Sequence, residues 1–158
     1  MPRRSAGLLL HRHGSRGLEV LLVHPGGPLW ASKDDGAWTV PKGEYAEGED
    51  EAQTAEREFT EELGAAPPPG PRLDLGEVRQ AGGKWTRLWA AAGDLDVSSV
   101  RSNTFDMEWP PRSGRQATFP EIDRAGWFTL EEARVKLLPS LVPFLDRLVE
   151  RFDGGAAG

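Results

Sequence analysis

The sequence predicts one loop-rich α/β domain. Three observations lead there: a length of 158 residues, apolar runs of strand length set among segments of helical period, and 13 prolines and 19 glycines that require many connections. A chain of this size can bury about two thirds of its unfolded surface, enough for one core. Hydrophobic residues make up 38% and charged residues 28%, as in an ordinary globular chain.

The first strand is expected over Ser5 to His11 and the second over Leu18 to His24, joined through Gly14 to Gly17 as a hairpin. Because LEVLLVH is almost continuously apolar, that second strand should be covered on both faces. Pro25 to Gly36 is a polar, glycine-rich connection of the kind that carries function. A short strand over Trp38 to Val40 leads into Pro41-Lys42-Gly43. From Glu49 to Leu63, the set Ala52, Ala55, Phe59 and Leu63 recurs at helical spacing, and Gly64 stands where a C-terminal cap belongs. AAPPPGP, residues 65–71, cannot continue that helix and reads as a stiff exposed linker. Leu73 to Arg79 and Lys84 to Ala91 read as a second hairpin around Gly82-Gly83. Asn103 to Trp109 is a strand candidate, and WPPRSGRQ a loop. Glu121 to Phe128 is the last strand, after which Thr129 and Glu132 have capping-box spacing for a short helix. A final helix over Ser140 to Phe152 puts Leu141, Leu145, Leu148 and Phe152 on one face, and residues 153–158 are expected to fray.

Composition also excludes functions. A net charge of −6 opposes a broad electrostatic footprint on nucleic acid, so none is expected as a partner. Without cysteine there are no disulfides or thiolate ligands, and any metal must sit on oxygen or imidazole. The apolar run Ala6 to Leu10 is too short for a signal peptide, and no stretch approaches a membrane span. The cytoplasm is the expected compartment.

Chemistry concentrates in the Glu49 to Leu63 helix. Glu58, Glu61 and Glu62 stand at i, i+3 and i+4, so three carboxylates share one face, with Arg57 the only basic residue of the helix. Like charges this close repel, and a hard cation such as Mg²⁺, or alternatively Mn²⁺, would relieve them. An acidic helix face by itself is commonplace. The wider spacing is not: Gly43, five residues, Glu49, seven residues, then Arg57-Glu58-Phe59-Thr60-Glu61-Glu62-Leu63-Gly64-Ala65. This resembles the Nudix box, GX5EX7REUXEEXGU with U a bulky aliphatic, at every fixed position. Phe59 is a conservative departure at one U position and Ala65 a smaller residue at the other, and both touch packing rather than ligands. SAGLLL, LLVHPGG, AWTVPKGE and EIDRAGWF extend the likeness to single-domain bacterial Nudix hydrolases from residue 5 to about 150.

The resemblance implies an α/β/α sandwich around a mixed sheet, with the box as loop, helix and loop, in a single domain over 1–158. It implies that Glu58 and Glu62 ligate the metal, that Glu61 is a further ligand or the base activating water, and that Gly43 offers its carbonyl. Glu49 and Arg57 would brace the carboxylates. A base from outside the box is also known in such enzymes; Glu108 and Glu121 are candidates, and Glu121 is preferred because EIDRAGWF resembles the strand bordering the site. The implied reaction is Mg²⁺-dependent cleavage of a phosphoanhydride in a nucleoside diphosphate linked to another moiety.

For the substrate, Lys42 in PKG resembles the dinucleoside polyphosphate hydrolase branch and could neutralise extra phosphates. Trp30 and Trp109, in loops, are the candidates for base stacking, and Arg115, Lys33 and Arg112 could reach phosphate. His24, after an apolar strand, reads as structural. Gln80 to Gly83 lacks the proline or tyrosine that marks some subgroups. Alternatives are nucleoside triphosphate, nucleotide-sugar or inositol pyrophosphate hydrolysis, or a catalytically silent nucleotide-binding Nudix module. A monomer or homodimer is expected, with no membrane partner.

Overall fold

Two apolar runs near the N-terminus build the centre of the sheet. The computed structural model describes residues 3–157, with side chains described to residue 152. β1 (Arg4–Gly14) and β2 (Gly17–Pro25) form the expected hairpin, in which Gly14 faces Gly17 and Gly17 takes φ +95°. β4 (Arg72–Arg79) and β5 (Trp85–Ala92) form the second hairpin, and β8 (Ile122–Thr129) closes the far edge. The strand order is β4-β5-β1-β2-β8, with β3 (Lys42–Glu44) on β1. β1 and β5 run parallel whereas the other pairs are antiparallel, so the sheet is mixed.

Alternation along the central strands divides the core into two layers. Leu8, Leu10, Leu21 and Val23 face α1 (Glu51–Leu63) and its Ala55, Phe59 and Leu63. Leu9, Val20 and Leu22 face the opposite way, toward Leu141, Leu145 and Leu148. Those leucines belong to a 3-10 turn, Pro139–Leu141, and to α3 (Pro143–Ala157); the short α2 (Leu130–Lys136) precedes them with the capping box of Thr129 and Glu132 formed. Helices thus cover both faces, which is why β1 and β2 read as continuous apolar runs. This is the α/β/α sandwich.

Several local readings are corrected. Trp38 and Thr39 make isolated bridges to Leu137 and Val23, and the strand lies beyond Pro41 as β3. Pro41 has no N–H to give a ladder, but its carbonyl accepts from Leu8 N–H at 3.2 Å. Gly7 allows that approach, since a Cβ there would lie 2.4 Å from the Pro41 oxygen. In α1, Ala52 is exposed and Thr54 is buried in the core-facing stripe, its hydroxyl donating to the Asp50 carbonyl. Gln116–Pro120 forms an unforeseen strand, β7, paired with β6 (Thr104–Glu108) as a separate two-stranded sheet. The last helix begins at Pro143 rather than Ser140, because prolines 139 and 143 break the approach into a 3-10 turn. That helix also runs on to Ala157 instead of ending at Phe152, so residues 153–157 are helical in backbone where fraying is expected; the side chains of 153–158 lie outside the described ones.

Candidate active site

The acidic face of α1 is held from both ends. Asp50 caps the helix by accepting from Gln53 N–H at 2.9 Å, and Glu49 folds back to accept from Ala46 N–H at 2.8 Å. Arg57 lies 3.6 Å from Glu49, 3.7 Å from Glu58 and 3.8 Å from Glu61, so one guanidinium gathers three carboxylates. Glu62 accepts from the Lys42 N–H at 3.1 Å. Gly43 is pressed on Glu58: a Cβ there would stand 2.1 Å from the Glu58 carboxyl carbon. Sequence neighbours 42 and 43 therefore each touch one carboxylate of the helix.

The electrostatics follow from crowding and burial. Burial raises the Glu62 pKa to about 8, the charges of Glu58 and Glu121 adding to it while Lys42 opposes. Glu58 is also raised, by burial first and by Glu61 and Glu121 next, against Arg57. Burial lowers Lys42 to about 8, and the adjacent Lys84 ammonium adds to that effect. The protein's own cations leave this carboxylate group undercompensated. Among the described residues no three acidic or imidazole side chains converge into a finished metal cage; Glu58 and Glu61 turn to Arg57, and Glu62 to an amide. The donor set nonetheless fits a hard divalent cation: all oxygen, clustered, undercompensated, and beside a glycine whose missing side chain leaves backbone against Glu58.

Glu121 reaches the same place by a backbone relay. Gly64, the C-cap at φ +73°, lets the chain come so close that a Cβ would lie 2.5 Å from the Arg101 carbonyl oxygen. The Leu63 carbonyl accepts from Arg101 N–H at 3.0 Å and the Glu61 carbonyl from Asn103 N–H at 3.1 Å. The Asn103 carbonyl then accepts from Glu121 N–H at 2.9 Å, and the Glu121 carbonyl from Gly26 N–H at 2.8 Å. Carbonyls left free at the helix end thus tie α1 to Glu121 and to the Gly26 loop. Glu108, the rival candidate, instead accepts from Arg112 N–H at 2.8 Å in the hairpin turn.

The NUDIX domain family model matches residues 1–152. This chain belongs to the Nudix family. Its enzyme class is accordingly that of the Nudix pyrophosphohydrolases, which act on nucleotide pyrophosphate bonds. Solved structures of similar fold include a Caenorhabditis elegans Ap4A hydrolase binary complex, with 23% identity, TM-score 0.67, and coverage of 95% of this chain and 98% of that one. The NUDIX domain of Shewanella oneidensis NrtR complexed with ADP ribose follows with 19% identity, TM-score 0.66, and coverage of 96% and 89%. A MutT protein from Methanosarcina mazei has 20% identity, TM-score 0.61, and coverage of 96% of both chains. No curated protein sequence matches. Among the described residues no helix is long and apolar enough to cross a membrane.

Around the Nudix box, the other expected residues divide. Trp30 lines a cavity beside Glu121, together with Phe105 and Met107, which sequence reading did not single out. Lys84 was missed as well; it follows the Gly82-Gly83 turn, but only the β5–β1–β3 pairing carries it to Lys42. Trp109 and Arg115 stand at the β6–β7 turn, joined by a backbone hydrogen bond of 2.9 Å, with Arg112 and Arg115 exposed. No hydrogen bond or ion pair among the described residues links them to the acidic cluster. Lys33 lies 4.9 Å over the Trp30 ring. His24 is buried, with Nδ1 2.7 Å from Asp123 and Nε2 2.6 Å from the Lys33 carbonyl, which leaves no ring nitrogen for phosphate.

Proposed function

We propose that this Nudix protein is a Mg²⁺-dependent hydrolase of nucleoside diphosphates linked to another moiety, with dinucleoside polyphosphates as its preferred class. The observation that carries the reading is the gathered carboxylate face of α1, undercompensated and closed by Gly43 and Arg57. Glu58, Glu61, Glu62 and the Gly43 carbonyl would hold the ion, with Mn²⁺ as a substitute. When bound, it would neutralise charge on phosphate oxygens and lower the pKa of an attacking water.

The chain's own groups do the rest. Arg57, bridging Glu49, Glu58 and Glu61, keeps the carboxylates at fixed separation. Glu121 is the base, a carboxylate oxygen taking the proton of the attacking water; its support is that its charge is among those raising both Glu58 and Glu62, whereas Glu108 accepts from Arg112 N–H in the hairpin turn. Glu61 is the competing base. The lean to dinucleoside polyphosphates is supported by Lys42, whose charge acts on Glu62 and which has Lys84 beside it, a pair of amines that suits a long anionic chain.

A turnover screen with product identification tests both levels. It compares dinucleoside polyphosphates, nucleoside triphosphates, nucleotide sugars and inositol pyrophosphates with and without Mg²⁺, for the wild type and Glu62→Gln. Metal-dependent release of mononucleotide and its polyphosphate partner is expected from the first class. Absence of metal-dependent turnover throughout would replace the enzyme reading with that of a nucleotide-binding module, whereas turnover confined to another class would remove only the dinucleoside preference.

A further inference from the structure

A cavity of about 280 Å³ opens beside Glu121, between the loop Pro25 to Trp30 and the β6–β7 hairpin. Its walls are Pro28, Leu29, Trp30, Phe105 and Met107, and Glu121 is its one ionisable member. Phe105 and Met107 alternate along β6 and so share a face, with Phe119 opposite Phe105 at a ring separation of 6.0 Å.

Two glycines permit this wall. A Cβ on Gly26 would lie 2.0 Å from the Pro120 carbonyl oxygen, and one on Gly27 would lie 2.8 Å from the Phe105 ring, where φ is also +95°. The hairpin is therefore seated directly on loop backbone. At the other end of the loop, the Lys33 carbonyl is fixed by His24, and Lys33 N–H donates to the Trp30 carbonyl at 2.9 Å. Trp30 thus stands on a loop anchored at both ends. Leu29 is 62% exposed at this cavity, an apolar side chain without cover.

We infer that this cavity takes the nucleobase of the substrate, stacked on Trp30 and enclosed by Phe105, Met107 and Leu29. The inference rests on the proposed action on nucleotides and extends it to a named subsite. An apolar aromatic recess accepts the flat face of a base, for which no charged partner is needed. Its neighbour Glu121 adjoins the acidic cluster, so a base seated here points the attached phosphates toward Glu58 and Glu62. Proximity of base pocket and carboxylates, through the shared Gly26–Glu121 hydrogen bond, couples recognition to positioning.

Calorimetric titration of the full chain with AMP and with ribose 5-phosphate, which differ in the base, reads this directly and needs no turnover. AMP should bind on the order of tenfold more tightly than ribose 5-phosphate, the loss of one stacked base. Trp30→Ala and Met107→Ser should each weaken AMP on the order of several-fold to tenfold while leaving ribose 5-phosphate within about twofold. Met107→Ser is included because it alters the lining without removing a ring from the hairpin. Equal binding of the two ligands, failure of both to bind, or variants that weaken both alike would overturn the inference. Lack of turnover in the substrate screen would instead strike the hydrolase reading, leaving the AMP comparison to judge the cavity.

Discussion

Gly43 and Glu62 place the sharpest tests on single residues. Gly43→Ala brings a methyl against the Glu58 carboxylate, the movable end of a side chain, so the fold should survive while the carboxylate is displaced. The expected result is a near-unchanged melting temperature and a fall in kcat/KM of about 10–100-fold, the range for disturbing the support of a metal site. Arg57→Ala should fall in the same range, since it frees three carboxylates at once. Glu62 predicts a proton linkage. Its folded pKa of about 8 lies above the ordinary carboxylate value, so the metal-free folded state holds an extra proton between the two. Stability contributed by that proton is present at low pH and declines as pH rises from the ordinary value through about 8. Mg²⁺ binding at pH 7 should therefore release a proton, measurable by calorimetry in buffers of different ionisation enthalpy, and Glu62→Gln should reduce the release.

Elements transmit these residues' positions. α1 presents its carboxylates only because Ala55, Phe59 and Leu63 lock the opposite side into the sheet. Phe59 is fully buried, so Phe59→Ala should cost about 3–5 kcal/mol in denaturant unfolding and reduce activity through a loosened helix. The helix and its C-cap were legible in sequence because the 3.6-residue period and Gly64 are local signals. β7 was not legible, because PRSGRQ masks a five-residue strand whose half-buried face exists only opposite β6. Similarly, Trp38 to Val40 has strand composition, but pairing passes to Lys42–Glu44 through the proline carbonyl and the close approach of Gly7.

At the scale of the whole molecule, the candidate site is where segments remote in the chain meet: Lys42 and Gly43, the end of α1, Lys84, and Glu121. The Pro25 to Gly36 loop is held against this assembly by His24, whose ring is bonded to Asp123 on β8 and to the Lys33 carbonyl. His24→Ala removes both hydrogen bonds, at about 1–3 kcal/mol in all, since Asp123 keeps solvent and Arg124 as partners. Lower stability and faster hydrogen exchange in the loop are the expected outcome; unchanged exchange there would show that His24 does not restrain it.

The sequence by itself determined the family, and with it the kind of bond attacked, because the box is a contiguous pattern; the same spacing sets Glu58, Glu61 and Glu62 on one helical face. Tertiary structure decided which distant groups join them. Bringing Glu121 near Glu58 and Glu62 while Glu108 turns to Arg112, setting Lys84 beside Lys42, and walling a cavity with Phe105 and Met107 all depend on strand pairing and on glycines that let backbones touch. Periodicity records which face of an element is apolar; it carries no record of what that element will pack against.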